Sequence, residues 1–207
     1  LRVMQLTYNE RNLVGDGCTE RTDAGLSDFG VQVIERMNKL GIVVSLSHTG
    51  KRTCLDAIAV SQAPVVFTHS NALALCNHPR NIDDDLIEAL ARTGGVIGVA
   101  AIPRFIRSGG TRENPVTIDD LLDHVDYLVG RAGIDHVGIG LDLLEFWDTF
   151  TATGVMSTQS WPPERAARIV KPSFGTLASP ERVRGLASVA EIPNLTQGLL
   201  DRGYSRD

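Results

Sequence analysis

The chain has 207 residues, 43% of them hydrophobic and 22% charged, and its 20 Lys and Arg against 25 Asp and Glu leave a net charge of −5. These values describe a globular protein of one domain, residues 1–207, and the absence of any basic run argues against nucleic acid as a partner. The longest apolar stretch, residues 94–103, is too short to cross a bilayer. Three cysteines, Cys18, Cys54 and Cys76, form an odd set without CxxC spacing. A disulfide scaffold and a zinc knuckle are therefore poor readings, and a reducing compartment is favoured. Cytoplasmic localisation is the expectation, with a signal peptide upstream of Leu1 as the alternative.

Strand and helix signals alternate along the chain. Residues 2–8 read as a strand that begins without a turn or cap, followed by a loop over 9–25 rich in Gly, Asp and Thr. Ser27 reads as the cap of a helix with Phe29, Val33, Met37 and Leu40 on its inner face, ended by Gly41. Residues 42–46 form a short buried strand ending at Ser47-His48, and a helix over 53–61 turns Leu55, Ile58 and Ala59 inward. Residues 64–67 form the next strand, ending at Thr68-His69-Ser70-Asn71. Asp83, Asp84 and Asp85 place negative charge on the first turn of a helix reaching about Thr93. Residues 95–102 form another apolar strand, and Thr117 caps a helix with Leu121, Leu122, Val125, Leu128 and Val129 inward. A last strand runs over 136–142, and a short helix over 195–200 closes at Gly203. Ser205 reads as the N-cap of a further helix two residues before the end, so the chain reads as a fragment of a longer protein.

Five apolar strands alternating with helices imply parallel βαβ units buried on both faces. An open doubly wound sheet and a (β/α)8 barrel both fit this pattern. No strand end carries the GxGxxG of a dinucleotide fold, and about 30 residues per unit makes five units the last five-eighths of a barrel. The expected class is thus α/β, a TIM-type barrel present as its last five βα units.

Chemistry in such barrels sits at the C-terminal ends of the strands. The polar residues there are Tyr8, His48, His69 and Asp142, with Arg80 on the loop after the His69 strand. Either each imidazole bonds a loop backbone, or the two share an ion. Their place on consecutive strand ends, with an aspartate on a third, favours the ion, for which neutral imidazole is a good zinc ligand. His136 begins its strand and faces the opposite rim, and His124 reads as a structural imidazole in mid-helix. His78 fits either role. Arg80 reads as a surface ion pair or as a bidentate clamp on a carboxylate. The glycines at 138 and 140 read as close-packing residues, and none of the cysteines has a base beside it in sequence.

These residues carry a resemblance. Leu6-Thr7-x-Asn9, Gly25-Leu26-Ser27-x-Phe29-Gly30, Met37-Asn38-x-Leu40-Gly41, Leu46-Ser47-His48, Pro64-Val65-x-Phe67-Thr68-His69-Ser70-Asn71, Arg80-Asn81-x-x-Asp84 and Gly138-x-Gly140-x-Asp142 resemble the renal (membrane) dipeptidase family over the whole chain. The resemblance implies a two-zinc hydrolase barrel that cleaves dipeptides. It implies that His48 and His69 are ligands of the second zinc, that Arg80 holds the free carboxylate of the dipeptide, and that Asp142 is the acid/base. It also places the ligands of the first zinc upstream of this chain, so the chain alone is expected to be inactive. A homodimer is one assembly the family allows. Three positions depart from the pattern. Tyr8 stands where the family often has a histidine that polarises the scissile carbonyl, which a phenol does by hydrogen bonding alone. Ser45 stands where many members have Asp, and Leu143-Leu144-Glu145 replaces a Phe-Asp-Gly. A hydrolase of N-acyl amino acids or related amides, and a carboxylate binder without turnover, are the competing readings.

Overall fold

Among the described residues, short runs of β-branched and other apolar residues give five strands of two to four residues: β1 (Val3–Gln5), β2 (Val43–Ser45), β3 (Val66–Phe67), β4 (Val96–Val99) and β5 (Val137–Ile139). They form one parallel sheet in the order β1-β2-β3-β4-β5. Val3 lies opposite Val43, Ser45 opposite Val66, Val66 opposite Val96 and Ile97 opposite Val137. A doubly wound sheet reverses its strand order at a switch point, whereas a barrel adds strands in sequence order. The sequential order excludes the first architecture and agrees with the second. The computed structural model describes residues 1–143 and 182–205, so Leu144, Glu145 and the two residues after Ser205 lie outside the described residues.

The helices are α1 (Asp28–Lys39), α2 (Lys51–Val60), α3 (Asp84–Arg92), α4 (Pro103–Ile106), α5 (Ile118–Ala132) and α6 (Ile192–Asp201). Their starts follow from local chemistry. Ser27 Oγ accepts from the Gly30 amide at 2.9 Å, and Asp83 Oδ1 accepts from that of Leu86 at 3.2 Å. Helix α2 is capped from a distance. Its N-cap, Gly50, has no side chain to offer, and Asp23 Oδ2 accepts from the Arg52 amide at 2.6 Å instead. Thr117 and Asp120 cap α5 reciprocally, each side chain accepting from the other's amide.

Met37 is buried in α1 as expected, but the rest of the expected inner faces of α1 and α2 is about one position out. Gly30, Ile34 and Met37 are buried in α1, while Phe29 and Leu40 are 52% and 56% exposed. Gly30 turns inward because the Val14 carbonyl lies where its Cβ would be, and Leu40 has already left the helix as its C-cap. In α2, which starts at Lys51 and not Thr53, the buried residues are Thr53, Cys54 and Ala57; Ala59 is exposed. The strands are also shorter than their apolar runs. Past Val99, the Ala100 amide donates to Asn71 Oδ1 at 2.8 Å and its carbonyl accepts from Asn71 Nδ2 at 3.0 Å. Its backbone bonds are thereby taken by a side chain, so the strand ends before the expected Ile102, and α4 follows at Pro103. The last strand stops at Ile139, three residues before Asp142.

The residues group into two compact units, Leu1–Ala100 with His124–Gly140, and Ala101–Asp123 with Leu141–Asp207. In the first, Ile34, Leu46, Phe67, Ile87, Leu90 and Ile97 form a fully buried core between sheet and helices. In the second, Phe105, Val116, Leu121, Leu122, Leu186 and Leu195 are buried, and Arg202 pairs with Asp123 at 2.8 Å.

Within the first unit the ends of β3, β4 and β5 meet backbone to backbone. A Cβ at Gly98 or at Gly140 would overlap the Thr68 carbonyl, so only glycine fits at either place. Gly140→Ala should therefore cost about 3 kcal/mol, at the upper end for overpacking. Urea unfolding would show this as a lower midpoint at unchanged slope.

Candidate functional site

The loop over residues 9–25 builds one wall of the site and is held by two aspartates. Asp16 is buried, forms an ion pair with Arg11, and accepts from the Ala24 amide at 2.6 Å. The Arg11 hydrogen bond, with Ala24 assisting, holds its carboxyl below the ordinary range against the opposing effect of burial. Asp23, besides capping α2, accepts from Thr53 Oγ1 at 3.2 Å. The Asp16 amide donates to the same hydroxyl at 3.1 Å, so both residues anchor on the helix that follows β2.

Tyr8, His48, His69 and Arg80 come together at the C-terminal ends of β1, β2 and β3. The Nε2 atoms of His48 and His69 are 2.8 Å apart. Their outer nitrogens are both held, His48 Nδ1 by Asn9 Oδ1 at 2.7 Å and His69 Nδ1 by Thr68 Oγ1 at 2.8 Å. The Tyr8 ring stacks on His48 with centroids 4.2 Å apart and an interplanar angle of 22°. Arg80 is 3% exposed and its Nη2 donates to the His69 carbonyl at 3.0 Å. Arg80, His48, Cys18 and Lys51 line a cavity of about 280 Å³. Burial, then the charge of Arg80 and the neighbouring His69, push His48 down to about 2, so its ring is neutral at any working pH.

Two imidazoles whose outer nitrogens are anchored and whose inner nitrogens converge fit a divalent transition metal. They are a partial donor set. Among the described residues no group of three or more His, Cys, Asp or Glu is placed to hold an ion.

The remaining sequence expectations resolve as follows. His124 is buried and its Nδ1 accepts from the Ala72 amide at 3.1 Å, a structural role. His136, beside the start of β5, bonds the Gly95 carbonyl at 2.8 Å, away from the strand ends that carry His48 and His69. His78 Nδ1 accepts from the Arg80 amide at 3.2 Å and so shapes the arginine's loop. Arg80 is no surface ion pair, since it is buried. Cys18 lies beside the site, with its thiol pushed up by burial, and Cys54 is fully enclosed. Asp142 belongs to the other compact unit, where it is exposed with φ 53°. Sequence reading passed over Asn9 and Thr68 as functional residues. The usable signal was that each adjoins a strand-end aromatic or histidine and carries a short hydrogen-bonding side chain.

The sequential parallel sheet is that of a TIM-type barrel, and the histidine pair stands at the strand ends where such barrels carry their sites. The membrane dipeptidase family, peptidase family M19, matches residues 1–151, and the chain belongs to it. An uncharacterized dipeptidase of Schizosaccharomyces pombe is 42% identical over 146 residues, 69% of this chain and 35% of its own length. An amidohydrolase from Pseudomonas aeruginosa superposes with a TM-score of 0.78 at 32% identity, over 99% of this chain and 59% of that one. A metallopeptidase from Rhodobacter sphaeroides, liganded with a phosphinate mimic of the dipeptide L-Ala-D-Ala, gives 0.76 at 25% identity, over 100% and 51%. The chain thus spans between 35% and 59% of the length of these relatives.

The Asp16 ion pair has a pH signature. A lowered native pKa contributes stability that is complete above the unfolded carboxylate value of about 3.9 and is lost as pH falls through the native one. Asp16→Asn should be less stable than the wild type at pH 7, and the gap should narrow below about pH 4. Urea melts at pH 7 and pH 3 measure it, and a gap independent of pH would contradict this role.

Proposed function

We propose that the protein is a zinc-dependent dipeptidase in which His48 and His69 hold one of two ions. The observation that carries this reading is the convergence of the two Nε2 atoms, each ring being anchored on its far side. Nitrogen donors at a neutral site suit zinc. The ion, when bound, polarises the scissile carbonyl and lowers the pKa of water.

This chain's own residues supply the rest. Arg80, buried beside His69, offers a charge-assisted clamp for the free carboxylate of a dipeptide. Tyr8, its ring flat on His48, is proposed to donate a hydrogen bond to the carbonyl oxygen as charge develops there. Asp142, three residues past β5, is proposed as the group that accepts a proton from water and returns it to the leaving amine. An amide anion is a very poor leaving group, so that second transfer is indispensable. A second reading, hydrolysis of N-acyl amino acids or related amides, draws support from Tyr8 in place of the family's histidine and from the likeness to a Pseudomonas amidohydrolase.

In the full-length protein, His48→Ala with His69→Ala should lower bound zinc from about two ions per chain to about one and abolish dipeptide hydrolysis. Elemental analysis reads the first and an amine-release assay the second. An unchanged metal content would refute the ligand assignment.

Arg80 supplies a separate test. Arg80→Met should reduce kcat/KM for a dipeptide by roughly 30- to 1,000-fold, the equivalent of about 2–4 kcal/mol, chiefly through KM. The same dipeptide as its C-terminal amide should lose far less. Equal losses on both would make Arg80 a structural residue, and tight binding without cleavage by the wild type would favour the non-catalytic reading.

A further inference from the structure

We infer that Asn9 fixes the tautomer of His48, accepting the Nδ1 proton and leaving the Nε2 lone pair turned toward His69, so that His48 is the preset ligand of the pair and His69 the adaptable one. The metal part of this inference rests on the site reading above; the tautomer itself does not.

The oxygen of the Asn9 amide faces two donors. His48 Nδ1 lies 2.7 Å from Oδ1 and the Cys18 sulfur 3.4 Å from the same atom. With its oxygen turned to this corner, the Asn9 amide accepts from the Cys18 thiol as well as from the ring. The orientation with oxygen toward both is the one that satisfies both.

Asn9 is also closely held. It is 2% exposed, and its backbone takes the left-handed φ of 62° that Asn tolerates better than most residues. Its carbonyl accepts from the Thr19 amide at 2.9 Å and from Thr19 Oγ1 at 2.7 Å. Gly17 packs so closely on that carbonyl that a Cβ there would overlap it. His48 is held as firmly. Its own φ is 68°, its carbonyl accepts from Thr7 Oγ1 and the Cys18 amide at 3.2 and 3.0 Å, and Tyr8 covers one ring face.

The partner histidine follows. At 2.8 Å between Nε2 atoms, one of the two carries the proton. Asn9 has settled that His48 does not, so His69 donates, and its Nδ1 accepts from the Thr68 hydroxyl. To become a ligand His69 must move its proton to Nδ1, which requires Thr68 to become the acceptor. Thr68 can do so because Ser45 Oγ and Ser47 Oγ lie 3.1 and 3.3 Å away to take its hydrogen. Three hydroxyls in a row can all reverse direction, whereas a carboxylate at position 45 would accept only.

Long-range 1H–15N correlation of the histidine rings in chelator-treated protein near pH 7 tests this directly. The wild type should show His48 protonated at Nδ1 and His69 at Nε2. Asn9→Gly keeps the left-handed backbone and removes the acceptor, and should move the His48 proton partly or wholly to Nε2. Asn9→Asp restores an acceptor and should restore the wild-type tautomer. A wild-type His48 protonated at Nε2 would overturn the inference without any variant. So would an Asn9→Gly spectrum identical to the wild type. In the full-length protein Asn9→Gly should also weaken zinc binding by about 10- to 100-fold, the usual effect of losing a ligand's outer hydrogen bond. A shifted tautomer with undiminished zinc affinity would refute the ligand-positioning role. A wild type that takes up no zinc at this pair would sink the dipeptidase reading, while the tautomer spectrum would still decide the role of Asn9.

Discussion

The site depends on the left-handed turn that the chain makes at His48. A non-glycine residue at φ 68° pays a conformational cost that its surroundings must outweigh. They do so through the carbonyl of that residue, which accepts from Thr7 on the preceding strand segment and from the amide of Cys18 in the loop over 9–25. The turn swings the imidazole across the end of β2 toward His69. The loop that supplies Cys18 also supplies Asn9, so one segment holds both the backbone and the ring of His48. That segment is tied in turn by Asp16 and Asp23 to the start of α2, the helix that leaves the His48 turn. The histidine is thus clamped from before, from after and from its outer edge.

Electrostatics in this corner disfavour a charged His48 and leave a buried positive charge at the cavity. The buried guanidinium of Arg80 lies close enough to disfavour protonation of His48, which desolvation already opposes. The same positive charge attracts a carboxylate into the cavity that Arg80 lines. One residue therefore bears on both parts of the proposed reading: its charge opposes protonation of His48, and its guanidinium lines the cavity where a carboxylate would be paired. The cavity's modest size, about 280 Å³, suits a small molecule better than an extended peptide.

Much of this was legible in the sequence because the governing signals are local. The strands announce themselves as apolar runs, Ser27 and Asp83 as caps, and His48 and His69 as polar residues ending consecutive runs. What escaped the reading was set by contacts distant along the chain. The inner face of α1 is turned by the approach of Val14 to Gly30, which no pattern within the helix reveals. Ala100 leaves the sheet because Asn71, 29 residues earlier, takes its backbone bonds. Asp23 caps α2 from 29 residues away. Asn9 stood inside a recognisable motif, but its role depends on a left-handed φ and on a thiol nine residues on, neither of which spacing encodes.

The glycines of β4 and the end of β5 complete the chain of dependence on the other histidine. Gly98 and Gly140 both lie against the Thr68 carbonyl with no room for a Cβ. Bulk at either place would push Thr68 outward, and Thr68 Oγ1 is the atom that holds His69 Nδ1. The orientation of His69 is therefore set two strands away, by the absence of side chains, while that of His48 is set by the presence of one, Asn9. These supports differ in stiffness. A carbonyl wedged among backbones positions Thr68 but leaves its hydroxyl free to rotate, whereas an amide oxygen facing two donors has one workable orientation. Two chemically identical side chains, side by side, thus acquire different tolerances: His48 is held in one orientation by Asn9, and His69 has a partner that can turn with it.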